Sequence, residues 1–209
     1  MPQAVTPAYD NKIYQKYSKK MIQNKEKNKI AFCEDFGLRY DKRVPLICIT
    51  YPLTEKNEVE ILQQAMRGLL EQDVQLTLMG IGTEKYQSYF TKLAEEHEDR
   101  VSIVEESDEN RRKVYAASDM VLLAGDSDEC CDEASKAMKY GVVPISPRCD
   151  FLENYDGSQE RGNAFIYTQK SPWGLFASVI RAIENFRFPY DWRNIRLAAM
   201  DGEEGEDEE

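Results

Sequence analysis

Apolar and polar positions alternate in blocks from residue 44 onward, and this pattern predicts strands separated by single helices. Residues 44–50 form a nearly continuous apolar run, VPLICIT, as expected for a parallel strand that is buried on both faces. In residues 55–72 the apolar positions recur every three or four residues, which is the spacing of a helix that covers a sheet. The pair of patterns repeats, and the predicted strands are 44–50, 74–79, 101–104, 120–124, 142–146 and 164–168.

The predicted helices lie between these strands, and several of their ends carry capping residues. Ser171 followed by Pro172 is typical of a helix start, because Ser caps the first turn and Pro fits its first position. Gly141 predicts a helix end, since glycine supplies a left-handed cap. The predicted helices are 55–72, one beginning at 84, 108–117, 128–140, 172–186 and 189–200. Single helices between strands predict an α/β domain with one doubly wound, Rossmann-like parallel sheet.

Two segments of biased charge flank this predicted domain of residues 44–200. Residues 1–43 are interpreted as a basic helical arm or linker, with a helix over 14–36 ended by Gly37; residues 1–30 contain seven lysines and two acids. Residues 201–209 contain seven acids and no base. A block of this kind predicts a solvated, disordered tail, and a docking tail for a basic partner is the alternative.

The net charge excludes some classes of partner. The whole chain has a formal charge of −11, and without its last nine residues the charge is −4. An acidic balance disfavours nucleic acid, because phosphate neutralisation needs a basic face. No window approaches the roughly 18 consecutive apolar residues of a membrane span, and the polar, basic N-terminus does not look like a leader. We therefore expect a cytoplasmic protein that binds neither membrane nor nucleic acid.

Cysteine and histidine residues give no indication of a metal or cofactor. The five cysteines are an odd number without a C-x-x-C pair, which argues against a complete disulfide framework and against zinc. Cys130 and Cys131 have no neighbouring base and are interpreted as packing or exposed thiols. His97, the single histidine, lies in a charged run and is interpreted as a solvated helix end.

Ligands of doubly wound sheets bind at the carboxyl ends of the strands, so five loops are candidates for a site. They are residues 51–57, 80–83, 105–108, 125–131 and 147–152. The chain around these loops resembles the C-terminal domain of bacterial glycogen synthases and plant starch synthases over residues ~8–200. The clearest stretches are KYGVVPI at 139–145 and SPWGL at 171–175 with RAI at 181–183, and LTLMGIG at 76–82 and ASDMVL at 117–122 are also similar.

The resemblance implies a GT-B glycosyltransferase, which has two Rossmann-like domains and an active site in the cleft between them. In that family the C-terminal domain holds ADP- or UDP-glucose and the N-terminal domain supplies much of the glucan acceptor site. The sequence contains no counterpart of the N-terminal domain. The candidate nucleotide-sugar-binding residues that the resemblance implies are Lys56, Gly80, Gly82, Asp128, Glu129, Cys130 and Arg148. Alternatively, the glycines serve a tight turn, and the charges near helix starts are caps or solvated groups.

Several positions depart from the family pattern. The expected clamp arginine is Pro52, and the expected phosphate-binding lysine falls at Asn57 or Lys56. The position of an aromatic residue for the base is Glu106, and the glycine of Glu-Pro-Cys-Gly is Cys131. The second family acid is Lys136, and the Gly-Gly turn is Asp150-Phe151. The sequence therefore predicts a degenerate donor site without an assigned catalytic residue.

Three functions follow as hypotheses. The first is a non-catalytic binding or regulatory subunit for α-1,4-glucan synthesis, beside a separate GT-B N-terminal-domain protein or a full synthase, with weak affinity for ADP-glucose, UDP-glucose or α-glucan. The second is the donor-binding half of a split glucosyltransferase, a hexosyltransferase completed by a separately encoded acceptor domain. The third is a structural or interaction module. We expect no transfer by this chain alone, no cofactor and no metal.

Overall fold

The computed structural model describes residues 6–51, 59–80, 84–125 and 127–201, and within them six strands form one parallel sheet. The strand order is β3-β2-β1-β4-β5-β6, which reverses direction between β1 and β4. This order confirms the predicted Rossmann-like, doubly wound sheet. The strands are β1 (Leu46–Ile49), β2 (Gln75–Met79), β3 (Val101–Val104), β4 (Met120–Leu122), β5 (Val143–Ser146) and β6 (Phe165–Ile166).

Helices cover both faces of the sheet, and the predicted capping residues lie at their ends. They are α1 (Lys25–Asp35), α2 (Val59–Leu70), α3 (Glu84–Glu96), α4 (Asp108–Ala117), α5 (Ser127–Met138), α6 (Pro172–Phe186) and α7 (Pro189–Asp201). The hydroxyl of Ser171 accepts a hydrogen bond from Gly174 N at 3.1 Å, as predicted for the start of α6. Gly141 has a φ of +65°, so the predicted left-handed turn after α5 is confirmed.

Several predicted strands are shorter in the structure, and the first spans Leu46–Ile49 instead of 44–50. The sixth spans Phe165–Ile166 instead of 164–168, because it lies at the edge of the sheet and pairs only with β5. The fourth ends at Leu122 instead of 124. Its continuation, Leu123, still donates a backbone hydrogen bond to Ile145 O at 2.9 Å. The helix predicted over 55–72 is seen as Val59–Leu70, and residues 55–58 lie outside the described residues.

The arm is not one continuous helix over 14–36, so that prediction is wrong. A 3-10 segment (Lys19–Asn24) with a kink at Met21 precedes α1. The side chain of Asn28 accepts from Gln15 N at 3.0 Å and donates to Gln15 O at 2.8 Å. These two bonds satisfy the backbone of Gln15 without a helix, and they hold the preceding residues against α1.

Lysines of the arm are buried in the domain. Lys25 Nζ donates to the carbonyls of Tyr115 at 2.6 Å and Ala116 at 3.1 Å, at the end of α4, and to Tyr140 O at 2.9 Å, just beyond α5. Burial lowers the pKa of Lys25 well below its usual range. Lys29 Nζ lies 2.6 Å from Asp119 Oδ2 in a buried ion pair. The arm is therefore fixed to the edge of the sheet at which the strands begin.

The described residues include no helix that is both long and apolar enough to cross a membrane. Of the predicted acidic tail, only Asp201 lies within the described residues, where it ends α7 and pairs with Lys19.

Candidate functional site

A tyrosine side chain joins the two strands that flank the reversal of strand order. Tyr51 follows β1 and is 4% exposed. Its hydroxyl accepts a hydrogen bond from the backbone N of Ala124, which follows β4, at 3.1 Å. The loops after β1 and β4 are thus joined across the position at which doubly wound sheets usually bind ligands.

A buried carboxylate, Glu133 of α5, accepts hydrogen bonds beside this crevice from two residues of α4 and from the residue that follows β1. Its Oε1 accepts from Arg111 Nη1 at 2.8 Å and from the hydroxyls of Thr50 and Tyr115 in short hydrogen bonds. Glu133 is 6% exposed, so these contacts form away from bulk water. Since a buried charge needs a partner, Glu133 depends on this cluster for its stability inside the domain.

The guanidinium of Arg111 is held on two sides. Its Nη1 also donates to Thr50 O at 2.8 Å, and its Nη2 pairs with Glu106 Oε1 at 2.8 Å. Burial opposes the charged form, but the contacts with Tyr115 and Glu133 outweigh burial, so the pKa of Arg111 is raised. Burial and Glu133 also raise the pKa of Tyr115, which stays a neutral donor. Two carboxylates therefore share one guanidinium, and Lys136 Nζ lies 4.0 Å from Glu133 Oε2, so two bases face the two acids.

The predicted site residues at the start of α5 have different exposures. Asp128 and Glu129 are exposed in the first turn, where acids complement the helix dipole. Cys130 is 2% exposed and lies in the hydrophobic core. Of these three, only the two acids present their side chains to solvent. The assignment of Asp128, Glu129 and Cys130 to a nucleotide-sugar site stays a prediction.

A disulfide joins Cys131, in the first turns of α5, to Cys149, in the loop after β5, with a Cα–Cα distance of 5.6 Å. The interpretation of Cys131 as a packing or exposed thiol is therefore wrong. The pairing could not be seen in the sequence, because the partners are 18 residues apart and meet only once β5 lies beside β4. The disulfide links two of the five candidate ligand loops, and the neighbouring Arg148 is exposed.

Two other predicted site residues, Gly80 and Arg148, lie at the same edge of the sheet but apart from each other. Gly80 follows β2 with a φ of +76°, a conformation that favours glycine and fits a turn. Three strand spacings separate β2 from β5, or roughly 14 Å. Gly80 and Arg148 are therefore too far apart to contact one phosphate group. Lys56 and Gly82 lie outside the described residues.

Glu133 was not among the predicted site residues, although its position on the apolar face of α5 indicated a buried carboxylate. The inward face of α5 comprises residues 130, 133, 134, 137 and 138, all of them buried. A carboxylate on that helical face needs a buried partner, and such positions often mark a site. Arg111 and Tyr115 on α4 and Thr50 after β1 gave no comparable indication, since both segments are distant in sequence from Glu133. In the described residues no group of three or more metal-ligating side chains could hold a metal ion.

Comparisons with known proteins agree with this architecture. The model of the family "Glycosyl transferases group 1" matches residues 45–185. A glycogen synthase from Thermosipho melanesiensis is 30% identical over 87% of this chain and 39% of its own length. A glycogen synthase from Cellvibrio japonicus is 27% identical over 93% of this chain and 42% of its own length. The chain thus spans about 40% of the length of these relatives.

A solved structure shares the fold. The catalytic domain of Starch Synthase IV from Arabidopsis thaliana, bound to ADP and acarbose, superposes with a TM-score of 0.83 at 23% identity, over 93% of this chain and 42% of that one. At this identity the likeness concerns the fold alone, and the matched region confirms the predicted resemblance to one domain of a larger enzyme.

Proposed function

Because the chain belongs to the family of group 1 glycosyl transferases, we propose that it is a GT-B domain with a degenerate donor site. It acts as a non-catalytic binding or regulatory subunit in α-1,4-glucan synthesis. Its partner is a full synthase or a separate protein that carries the N-terminal GT-B domain, and its own affinity for nucleotide sugars is weak. The observation that carries this proposal is the engagement of Arg111 by Glu133, Glu106 and the carbonyl of Thr50.

Transfer from a nucleotide sugar needs cations at the diphosphate, because charge develops on the leaving group in the transition state. Arg111 lies beside the switch point, that is, the position between β1 and β4 at which the strand order reverses. To reach a phosphate there, Arg111 would have to leave Glu133. Removing the partner of a buried carboxylate costs about 3–5 kcal/mol. A charge-assisted hydrogen bond to phosphate returns only about 1.5–3 kcal/mol. The exchange is unfavourable, so Arg111 stays with Glu133.

The start of α5 is also unfavourable for a bound diphosphate. Backbone N–H groups at helix starts commonly bind phosphate. Here the first turn carries Asp128 and Glu129, whose charges repel an anion. The disulfide between Cys131 and Cys149 also restricts the movement of the two loops away from each other. Both features disfavour a bound diphosphate at this position.

The test is a transfer assay with the purified chain, glycogen, and radiolabelled ADP-glucose or UDP-glucose, with the Thermosipho melanesiensis glycogen synthase as the positive control. We expect no glucosyl incorporation by this chain. Calorimetric titration with ADP-glucose should give a Kd weaker than ~1 mM, about 4 kcal/mol of binding free energy or less. Incorporation above the no-enzyme blank, or micromolar binding, would overturn the proposal.

A second candidate is the donor-binding part of an active enzyme whose acceptor domain is supplied from elsewhere. It is favoured by the length of the relatives, of which this chain matches about 40%. The transfer assay decides between the two when the N-terminal part of the Thermosipho melanesiensis synthase is added as a separate polypeptide. Incorporation that requires both polypeptides would support the split enzyme, and its absence would favour the non-catalytic subunit.

We propose that the protein is located in the cytoplasm, because its proposed role is in α-glucan synthesis. The disulfide between Cys131 and Cys149 bears on this proposal, because cytosolic proteins rarely keep disulfides. Alkylation of intact cells before lysis would trap the two cysteines in their cellular state. Peptides carrying both residues as alkylated thiols are expected for the cytoplasm, whereas an intact disulfide would indicate an oxidising compartment.

A further inference from the structure

We propose that a basic cavity on the opposite edge of the sheet is a second binding site, which takes a compact anion bearing phosphate groups. The cavity has a volume of about 780 Å³ and lies between α1, the end of α6 and the start of α7. It faces the residues that precede β1 and β4, so the whole sheet separates it from the switch point. Its volume is that of ordinary small-molecule sites.

Two donors of α7 that line this cavity have no acceptor. The Nε of Arg196 is buried and makes no hydrogen bond within the described part of the chain. Trp192 lies one helical turn earlier, is 2% exposed, and its Nε1 is likewise buried without a described partner. Residues four apart occupy the same face of a helix. Buried polar groups are nearly always hydrogen-bonded, so two neighbouring unsatisfied donors in one cavity point to a ligand that brings acceptors.

Two of the four acids that line the cavity, Asp119 and Glu26, are engaged by other groups. Asp119 Oδ2 accepts from Lys29 Nζ at 2.6 Å and from Leu46 N at 3.0 Å. Glu26 accepts from Tyr40 OH at 2.6 Å and pairs with Lys42 at 3.2 Å. These carboxylates therefore leave the guanidinium of Arg196 without an ion pair among the described residues.

The charge of the lining also favours an anion. The described residues that line the cavity include seven lysines or arginines and four acids, and bases still outnumber acids by six to four when Lys25, whose pKa is lowered by burial, is left out. Burial lowers the pKa of Arg196, the effect of a guanidinium removed from water, and a bound anion would compensate for that loss. A concave surface of one sign concentrates ligands of the opposite charge.

The type of donor indicates phosphate. Guanidinium groups bind phosphate through two parallel N–H bonds, and a phosphate group offers acceptor oxygens for several donors at once. Arg193, on the exposed side of α7, lines the same cavity and supplies a further guanidinium at its rim. Inorganic phosphate, pyrophosphate and phosphorylated small molecules share this chemistry.

Calorimetric titration of the full chain with inorganic pyrophosphate and with inorganic phosphate at low ionic strength tests the proposal. Arg196→Met should weaken pyrophosphate binding at least about tenfold, since it removes a charge-assisted contact. Arg193→Gln at the rim should weaken it by a smaller factor, and it keeps the test decisive if Arg196→Met does not fold. The matched control is Arg67→Gln on α2, whose side chain is 93% exposed and far from the cavity, and which should bind as the wild type does.

Fluorescence provides a readout at the cavity itself. The chain has two tryptophans, and Trp173 is 79% exposed on α6. In a Trp173→Phe variant only Trp192 emits, so pyrophosphate should change its emission, while sodium chloride of equal ionic strength should not. Unchanged emission, absence of binding at millimolar pyrophosphate, or equal affinity in wild type, Arg196→Met and Arg193→Gln would each overturn the proposal.

Binding in the cavity can be measured separately from binding at the switch point. Nucleoside diphosphates carry the same oxygens as pyrophosphate, so ADP could enter the cavity as well. Titration of the Arg196→Met variant with ADP measures the switch-point site without this contribution. Pyrophosphate binding that is lost in Arg196→Met but retained in Glu133→Gln locates the anion in the cavity, whatever the outcome of the transfer assay.

Discussion

Removal of the Glu133 carboxylate tests whether the cluster at the switch point is a fixed part of the fold. Glu133→Ala strands the hydroxyls of Thr50 and Tyr115 and deprives Arg111 of one of its two carboxylates. Each unsatisfied buried group costs about 1–3 kcal/mol. Because Arg111 keeps Glu106 and the carbonyl of Thr50, its loss is partial, and we expect a total destabilisation of about 3–5 kcal/mol.

Urea denaturation followed by circular dichroism measures this effect in the wild type, Glu133→Ala, Glu133→Gln, Arg111→Met and the double variant Glu133→Ala with Arg111→Met. Glu133→Gln keeps an acceptor oxygen, so it should cost less, about 1–2 kcal/mol. The double variant should be more stable than the sum of the single losses predicts, with a coupling energy of about 1.5–3 kcal/mol. A loss below about 1 kcal/mol in Glu133→Ala would refute the reasoning, since it would mean that the carboxylate is solvated.

The same variants report on ligand binding. In Glu133→Gln the guanidinium of Arg111 loses its buried anion, so a diphosphate can compete for it. ADP affinity, measured in the Arg196→Met background, should rise by about tenfold, or 1.4 kcal/mol. Arg111→Met is the matched control and should not show this gain. Unchanged ADP affinity in Glu133→Gln would show that the pairing of Arg111 with Glu133 is not what weakens nucleotide binding.

Three further predictions concern single contacts. Reduction of the disulfide between Cys131 and Cys149 should lower the unfolding free energy by about 3 kcal/mol, and the denatured chain should take up three iodoacetamide groups before reduction and five after it. Burial raises the pKa of Asp119, but Lys29, Arg196 and the backbone N of Leu46 together outweigh burial and leave the pKa lowered. Its stabilisation is therefore present above about pH 4 and is lost as the pH falls through the folded-state value, so Asp119→Asn should flatten the acid limb of stability against pH. Ser171→Ala should cost about 1 kcal/mol in thermal unfolding, because Gly174 N loses its cap, while Ser171→Asn should retain most of the stability.

The parts of the fold that depend on neighbours in sequence could be predicted. The capping hydroxyl of Ser171 acts three residues away, and the apolar spacing of each strand and helix is local, so their positions followed from pattern alone. The arm could not be predicted in this way. Its lysines read as a solvated basic block, whereas Lys25 is buried against carbonyls 90 and 115 residues further along the chain.

For the candidate site, too, the general position could be predicted, whereas the contacts between distant segments could not. The loops at the carboxyl ends of the strands were expected to lie together, and the sheet order places them there. The cluster beside the crevice was not expected, because Thr50, Arg111 and Glu133 come from three segments and meet only in the folded sheet. The pairing of Cys131 with Cys149 was hidden for the same reason.

The contacts of Lys25 also bear on the order of events during synthesis. Its acceptors at Tyr115 and Tyr140 are translated 90 and 115 residues later, a delay on the order of ten seconds. Until α4 and α5 have left the ribosome, the helix end that carries Lys25 has no docking surface, and Lys29 has no Asp119. Such distant contacts give a high contact order and slow folding. Residues 25–35 are therefore expected to dock late, and nascent chains that stop before α5 should remain open to proteases and to association with one another.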